Sequence, residues 1–191
     1  MKKLLKRIMA LSLCACMMMG AASPASAANI QPRYTANSFA NWTLFVAEDT
    51  EGPVMNVYTW DTVNNADGNK VTTYRCAPGD PAQEFAVKWH PEDGAPRLYS
   101  KLGFNSSTQR GYTINCDRTS PVSGGYYCTT WNDNTYNRTD SEIDIRTQNY
   151  DLCRYRIYLR NRGLYLNDSG ASNGAQLKWT SSTSSLWVNA N

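Results

Sequence analysis

The sequence predicts an all-β domain, and three observations carry that prediction. After residue 28 no stretch places apolar residues at i, i+3, i+4 and i+7 over three turns, the spacing an amphipathic helix needs. Short runs alternate instead: Phe85, Val87 and Trp89 are interleaved with Glu84, Ala86 and Lys88, which puts the aromatics and the valine on one face of a strand. Between such runs lie clusters of Gly, Asn, Asp and Pro, the residues that tight turns require.

Taken in order, Trp42 to Val46 reads as a first strand, rich in aromatic and β-branched types, and Val54 to Trp60 as a second. The cluster Asn64 to Asn69, with Asp67-Gly68 as a hairpin signal, leads into a third strand from Lys70 to Cys76. Ala77-Pro78-Gly79-Asp80-Pro81 turns the chain into the run at 85–89, and His90 to Pro96 turns it again into Arg97–Leu102. Gly111 to Cys116 resumes a strand. The segment from Asp117 to Asp140 has little periodicity and is expected to be an irregular insertion pinned by a disulfide. Alternation returns at Ser141–Arg146, at Tyr155, Ile157 and Leu159, and in the tail at Gly163–Asp168, Asn173–Trp179 and Leu186–Val188. Eleven or twelve strands of this kind suit a barrel, a trefoil or a sandwich, and composition does not choose among them.

The chain begins with Lys2, Lys3, Lys6 and Arg7, continues with an apolar run to about Ala22, and reaches Ser23-Pro24-Ala25-Ser26-Ala27. This is the pattern of a secretory signal peptide cleaved near Ala27, and it predicts an extracellular protein. The expected organisation is a signal peptide over 1–27, a loose arm over 28–38 and a single domain over 39–191. The apolar run is too short for a comfortable membrane span. Of the 19 Lys and Arg, four precede residue 28, whereas all 16 Asp and Glu follow it, so the balance moves from +3 to 15 against 16. No electrostatic argument for nucleic acid survives, and the alternating Arg154, Arg156, Arg160 and Arg162 read as a solvated strand face.

Cys76, Cys116, Cys128 and Cys153 remain after cleavage, an even number in an exported chain, which suggests two disulfides in one of three pairings. Their spacing does not suit zinc, and no metal or other cofactor is expected. One histidine, His90, lies between Trp89 and Pro91; no nucleophile, metalloprotease or phosphate-loop motif accompanies it, so no enzyme activity is expected. Glu142 and Asp144 share a face at a spacing a glycosidase pair could use, but their alternation with Ile143 and Ile145 is that of an ordinary wet strand.

The tail unit has two related stretches. One holds Met55-Asn56-Val57, Gly68 to Tyr74 and Ala82-Gln83-Glu84-Phe85; a poorer one holds Thr113-Ile114-Asn115, Ser141 to Ile145 and Cys153-Arg154-Tyr155. With Gln83-Glu84-Phe85 resembling a Gln-x-Trp motif and Ser185-Leu186-Trp187 keeping its tryptophan, the chain resembles the ricin-type β-trefoil lectins over most of 39–191. The resemblance implies a β-trefoil of three repeats, with a β-sandwich as the alternative. It also implies a shallow sugar pocket in each repeat: an acid after the first strand, an aromatic ending the second, and polar residues before the terminal motif.

Carried over, the pockets fall on Asn56, Tyr74, Asp80 and Gln83 in the first repeat and on Asn167 or Asp168, Trp179 and Ser184 in the last. The middle repeat, with Ile145-Arg146 where an aromatic belongs, is expected to lack one. The expected partner is a glycan or glycoconjugate, bound by a monomer. The rival expectation is a protein-binding factor, such as a protease inhibitor, acting through the loops at 90–96 and 117–140.

Overall fold

The computed structural model describes residues 38–48, 53–58, 68–133, 138–149, 154–170 and 172–190. The expected signal peptide, nearly all of the expected arm, and Cys153 lie outside the described residues. Among the described residues, twelve strands follow in order: β1 (Leu44–Ala47), β2 (Pro53–Val57), β3 (Val71–Arg75), β4 (Phe85–Trp89), β5 (Pro96–Ser100), β6 (Tyr112–Val122), β7 (Gly125–Asn132), β8 (Ile143–Asn149), β9 (Arg154–Leu159), β10 (Leu164–Asn167), β11 (Lys178–Thr180) and β12 (Trp187–Ala190). A one-turn helix, α1 (Arg138–Ser141), precedes β8.

Every ladder is antiparallel, and the path β3-β2-β1-β12-β9-β10-β11-β7-β6-β5-β4, with β8 on β9, does not close on itself. Two groups of strands can be distinguished within it. The first contains the paired strands β1–β12, β4–β5 and β8–β9; reciprocal bonds of 2.9 Å between Thr43 and Phe85 tie β4 to the entrance of β1, and β12 pairs β9. The second contains the three hairpins β2–β3, β6–β7 and β10–β11.

These hairpins meet one another around a pseudo-threefold axis. The Leu177 N–H donates to the Val71 carbonyl at 2.8 Å, and the Cys128 N–H donates to the Leu177 carbonyl at 2.9 Å. The third side is joined where Thr130 N–H donates to the Asn69 carbonyl and Gly68 N–H to the Thr130 carbonyl, both at 2.9 Å. Val71, Cys128 and Leu177 therefore occupy equivalent places, and the three units expected from the tail, front and middle of the chain share one core. That is the β-trefoil arrangement.

The core draws on all three units. Phe45, Met55, Val71, Phe85, Leu98, Ile114, Cys128, Ile157, Leu166, Leu177, Trp179 and Trp187 are buried in one cluster. Both indole N–H groups find carbonyls, Trp179 Nε1 at Asn115 (3.0 Å) and Trp187 Nε1 at Leu166 (3.1 Å), so the two largest side chains enter the core without leaving a donor unpaired.

The structure corrects the sequence reading in two places. The segment from 117 is not an irregular insertion but the outer half of a long hairpin, β6–β7, whose register shifts between Asp117 and Pro121. Its periodicity was invisible because Cys128, Thr129 and Thr130 fill three successive buried positions of β7, a strand held between β6 and β11 and so covered on both edges. On β4, Phe85 is fully buried but Trp89, two pleats further along the same face, is 68% exposed, because the strand runs out of the core before it ends.

Candidate functional site

Register across the three hairpins identifies equivalent positions. Beside the axis residues, Asn56 pairs with Thr72, Asn115 with Thr129, and Asn167 with Lys178. Two residues further on, with side chains on the same outward face, come Tyr74, Trp131 and Thr180. Each hairpin thus carries an asparagine on its first strand, diagonal to the residue that ends the outward row of its second.

The three sites are unequal. On the first hairpin, Asn56 is buried and donates to Thr72 Oγ1 at 3.4 Å, with Tyr74 half-buried beside it. On the second, Asn115 is buried, its amide donating to the Cys116 carbonyl at 3.1 Å, and Trp131 is 37% exposed. Adjacent to Trp131 in the chain, Asn132 lines a cleft of about 350 Å³ with Asn105, Thr108, Arg110 and Tyr112. On the third, Asn167 is consumed by structure: its amide donates to Tyr165 O (2.9 Å), Thr180 Oγ1 (3.0 Å) and Ser182 O (3.0 Å), and its carbonyl accepts from Ser185 N–H (3.1 Å). Thr180 offers no ring there, and β7 pairs along the edge of β11 from Gly125 to Tyr127.

Several carried-over residues take other roles. Trp179 is fully buried in the core, one position out of register with the outward row, and has no face for a ligand. Gln83 is also fully buried, its carbonyl accepting from Ala77 N–H at 2.7 Å and its amide donating to Arg75 O at 2.9 Å, which closes the β3–β4 loop. Asp80 holds the same loop by accepting from Ala82 N–H. Asp168 accepts from Gly170 N–H at 3.1 Å, and its other carboxylate oxygen is buried without a partner. Tyr74 alone lies where the carry-over needs a ring. In the middle repeat, Ile145 and Arg146 belong to β8, the Arg146 guanidinium carbon lies 3.3 Å from the Tyr158 ring centroid, and the register position equivalent to Tyr74 is held by an aromatic, Trp131.

The titratable groups form separate ionic clusters. Asp117 carries a depressed pKa: burial pushes it up, but hydrogen bonds from Thr119 and Ser120 outweigh that and keep it ionised. His90 is enclosed, with Nδ1 3.2 Å from an Asp93 carboxylate that also receives Arg97 at 2.6 Å. Tyr99 donates to Asp133 at 2.5 Å, and burial raises its pKa, with Asp133 adding to the rise. Glu142 and Asp144 are both bound by Arg160, at 2.9 and 3.2 Å, and Asn161 donates to the second Glu142 oxygen at 3.0 Å. Among the described residues, no group of three or more His, Cys, Asp or Glu side chains could hold a metal ion, and no helix is long and apolar enough to cross a membrane.

No family model and no curated protein matches the sequence. Solved structures do. A designed threefold-symmetric protein, ThreeFoil, superposes with a TM-score of 0.58 at 15% identity, covering 78% of this chain and 98% of its own. The ricin B-like lectin of Macrolepiota procera, solved with lactose, gives 0.57 at 17% identity over 81% of this chain and 98% of its own. The agglutinin of Rhizoctonia solani gives 0.57 at 14% identity over 80% and 95%. The fold these likenesses and the three-hairpin axis define is the β-trefoil, the fold of the ricin B-like lectin among them.

Proposed function

We propose that this protein is an exported, monomeric, non-catalytic module that binds carbohydrate through the outward faces of its first two hairpins. The observation that carries this reading is the recurrence, at equivalent register, of an asparagine and an accessible aromatic: Asn56 with Tyr74, and Asn115 with Trp131. A pyranose offers an apolar face for a flat ring and hydroxyls for neighbouring polar groups, and a partly exposed aromatic near amides and hydroxyls suits both. The third hairpin, with Thr180 in the aromatic position and Asn167 saturated, takes no part. The fungal lectin solved with lactose makes lactose the first ligand to test.

Titration of the full chain with lactose and a panel of glycans, followed by tryptophan fluorescence, tests the reading. It expects saturable quenching that is reduced in Trp131→Ala and in Tyr74→Ala and kept in Thr180→Ala. Absence of any response at millimolar sugar overturns it.

One observation favours a second reading, protein binding by the β4–β5 hairpin: Trp89, at its rim, is the most exposed of the large apolar side chains described. That reading expects partner capture that Trp89→Ala abolishes and Trp131→Ala leaves intact.

A further inference from the structure

Cys116 on β6 and Cys128 on β7 are register partners. Both backbone polar groups of Cys128 point away from β6: its N–H donates to Leu177 O at 2.9 Å, and its carbonyl accepts from Gln176 Nε2 at 3.1 Å. In an antiparallel ladder this makes Cys116 and Cys128 a non-hydrogen-bonded pair, the kind whose Cα atoms come within about 4.5 Å and whose side chains lie closest. Disulfides span Cα separations of about 4.4–6.8 Å. Both thiols are free and belong to one buried cluster, at 1% and 0% exposure, and Cys116 lies near enough to Cys128 to help raise its pKa. The equivalent place in the first hairpin is held by the Val57–Val71 pair, so the site tolerates two small apolar groups in contact.

We infer that Cys116 and Cys128 are the native partners of a cross-strand disulfide that staples the β6–β7 hairpin. Of the three pairings open to four cysteines, this assigns one, and leaves Cys76 and Cys153 to each other or to free thiols. The oxidant is a second disulfide, of the glutathione or protein-oxidase class. One cysteine thiolate attacks it, expelling one thiolate and forming a mixed disulfide; the other cysteine then displaces the second thiolate. Two S–H bonds give way to one S–S bond, two protons leave, and the two electrons reduce the oxidant to two thiols. Because burial pushes the Cys116 thiol up to about 12 and raises Cys128 as well, neither ionises readily once the core is closed. The bond therefore forms while the hairpin is still open to solvent.

The test is to refold the reduced, denatured full chain in a glutathione redox buffer, block remaining thiols with iodoacetamide, and digest with trypsin. Cleavage after Arg110, Arg118 and Arg138 separates the two cysteines. The expected product is peptide 111–118 joined to peptide 119–138, two hydrogens lighter than their sum and resolved by dithiothreitol. Alkylation of both cysteines, or linkage of either to Cys76 or Cys153, overturns the assignment. As an independent readout, dithiothreitol should lower the melting temperature of the oxidised protein by about 6–12 °C, the effect expected for closing a loop this short in a chain this long. The double variant C116V/C128V, built on the first hairpin's solution, should show no shift at this bond; an equal shift there sinks the assignment.

Discussion

Gly125 of β7 lies so close to Trp179 of β11 that a Cβ on it would stand 1.8 Å from the Trp179 carbonyl oxygen. The obstacle is backbone, which cannot swing aside, so the second and third hairpins can join only with glycine at this position. Gly125→Ala should therefore cost about 3 kcal/mol or more, with loss of protection at the amides of 178–180. Neighbouring Gly124 has open space but a φ of +77°, and Gly124→Ala should cost only the left-handed strain, roughly 1 kcal/mol. Denaturant unfolding of the two variants, with hydrogen exchange for the first, checks the contrast.

Trp187 stands at the end of the last repeat with its ring fully buried and its Nε1–H on the Leu166 carbonyl. Trp187→Ala should destabilise by about 3–5 kcal/mol. Trp187→Phe retains much of the packing but orphans that carbonyl, and should cost less, about 1–3 kcal/mol. Urea midpoints of both variants measure this directly.

Asn167 is the hub that draws the 182–185 segment onto β10, making three donations and accepting from Ser185. Asn167→Ala strands those partners in a buried place and should cost about 2–3 kcal/mol. The proposed function expects sugar binding to persist, since it assigns no sugar contact to the third hairpin. A loss of binding in a variant that still folds would move the site to the third hairpin.

Trp131→Ala should weaken glycan affinity at the middle hairpin at least about threefold while changing the melting temperature far less than Trp187→Ala does, since Trp131 lies outside the buried core cluster. Calorimetric titration against lactose or whichever glycan responds gives the affinity, and a scan of the same sample gives the stability.

Asp117 has a pKa lowered by its hydrogen bonds from Thr119 and Ser120, against the opposing effect of burial. A carboxylate depressed in the folded state adds stability that is fully present above its unfolded pKa of about 3.9 and is lost as pH falls through the lower folded value. Thr119→Val removes both Thr119 hydroxyl contact and part of that depression, so the Asp117 pKa, followed by carboxyl NMR, should rise toward the ordinary value.

The first repeat was readable because apolar and polar residues alternate along its first strand: Met55 and Val57 lie on one face with Val71 and Thr73, and Asn56 and Tyr74 lie on the other. The middle repeat was not, because Thr129 and Thr130 are buried through neighbouring strands on both edges, a circumstance that hydrophobic patterning does not record. Trp179 was misplaced by a single residue, which in a strand exchanges solvent for core.

Strand content, turn positions and the kinship of three decayed units are local matters, governed by side-chain alternation and by residues that can turn a chain, and these the amino acids determined alone. Which aromatic faces water, which asparagine is spent on a loop, and which cysteines oppose each other depend on how hairpins far apart in sequence register about a common axis. Trp131 entered the candidate site, and Trp179 left it, for that reason: a pleat points a ring outward or inward only after its neighbours have been chosen.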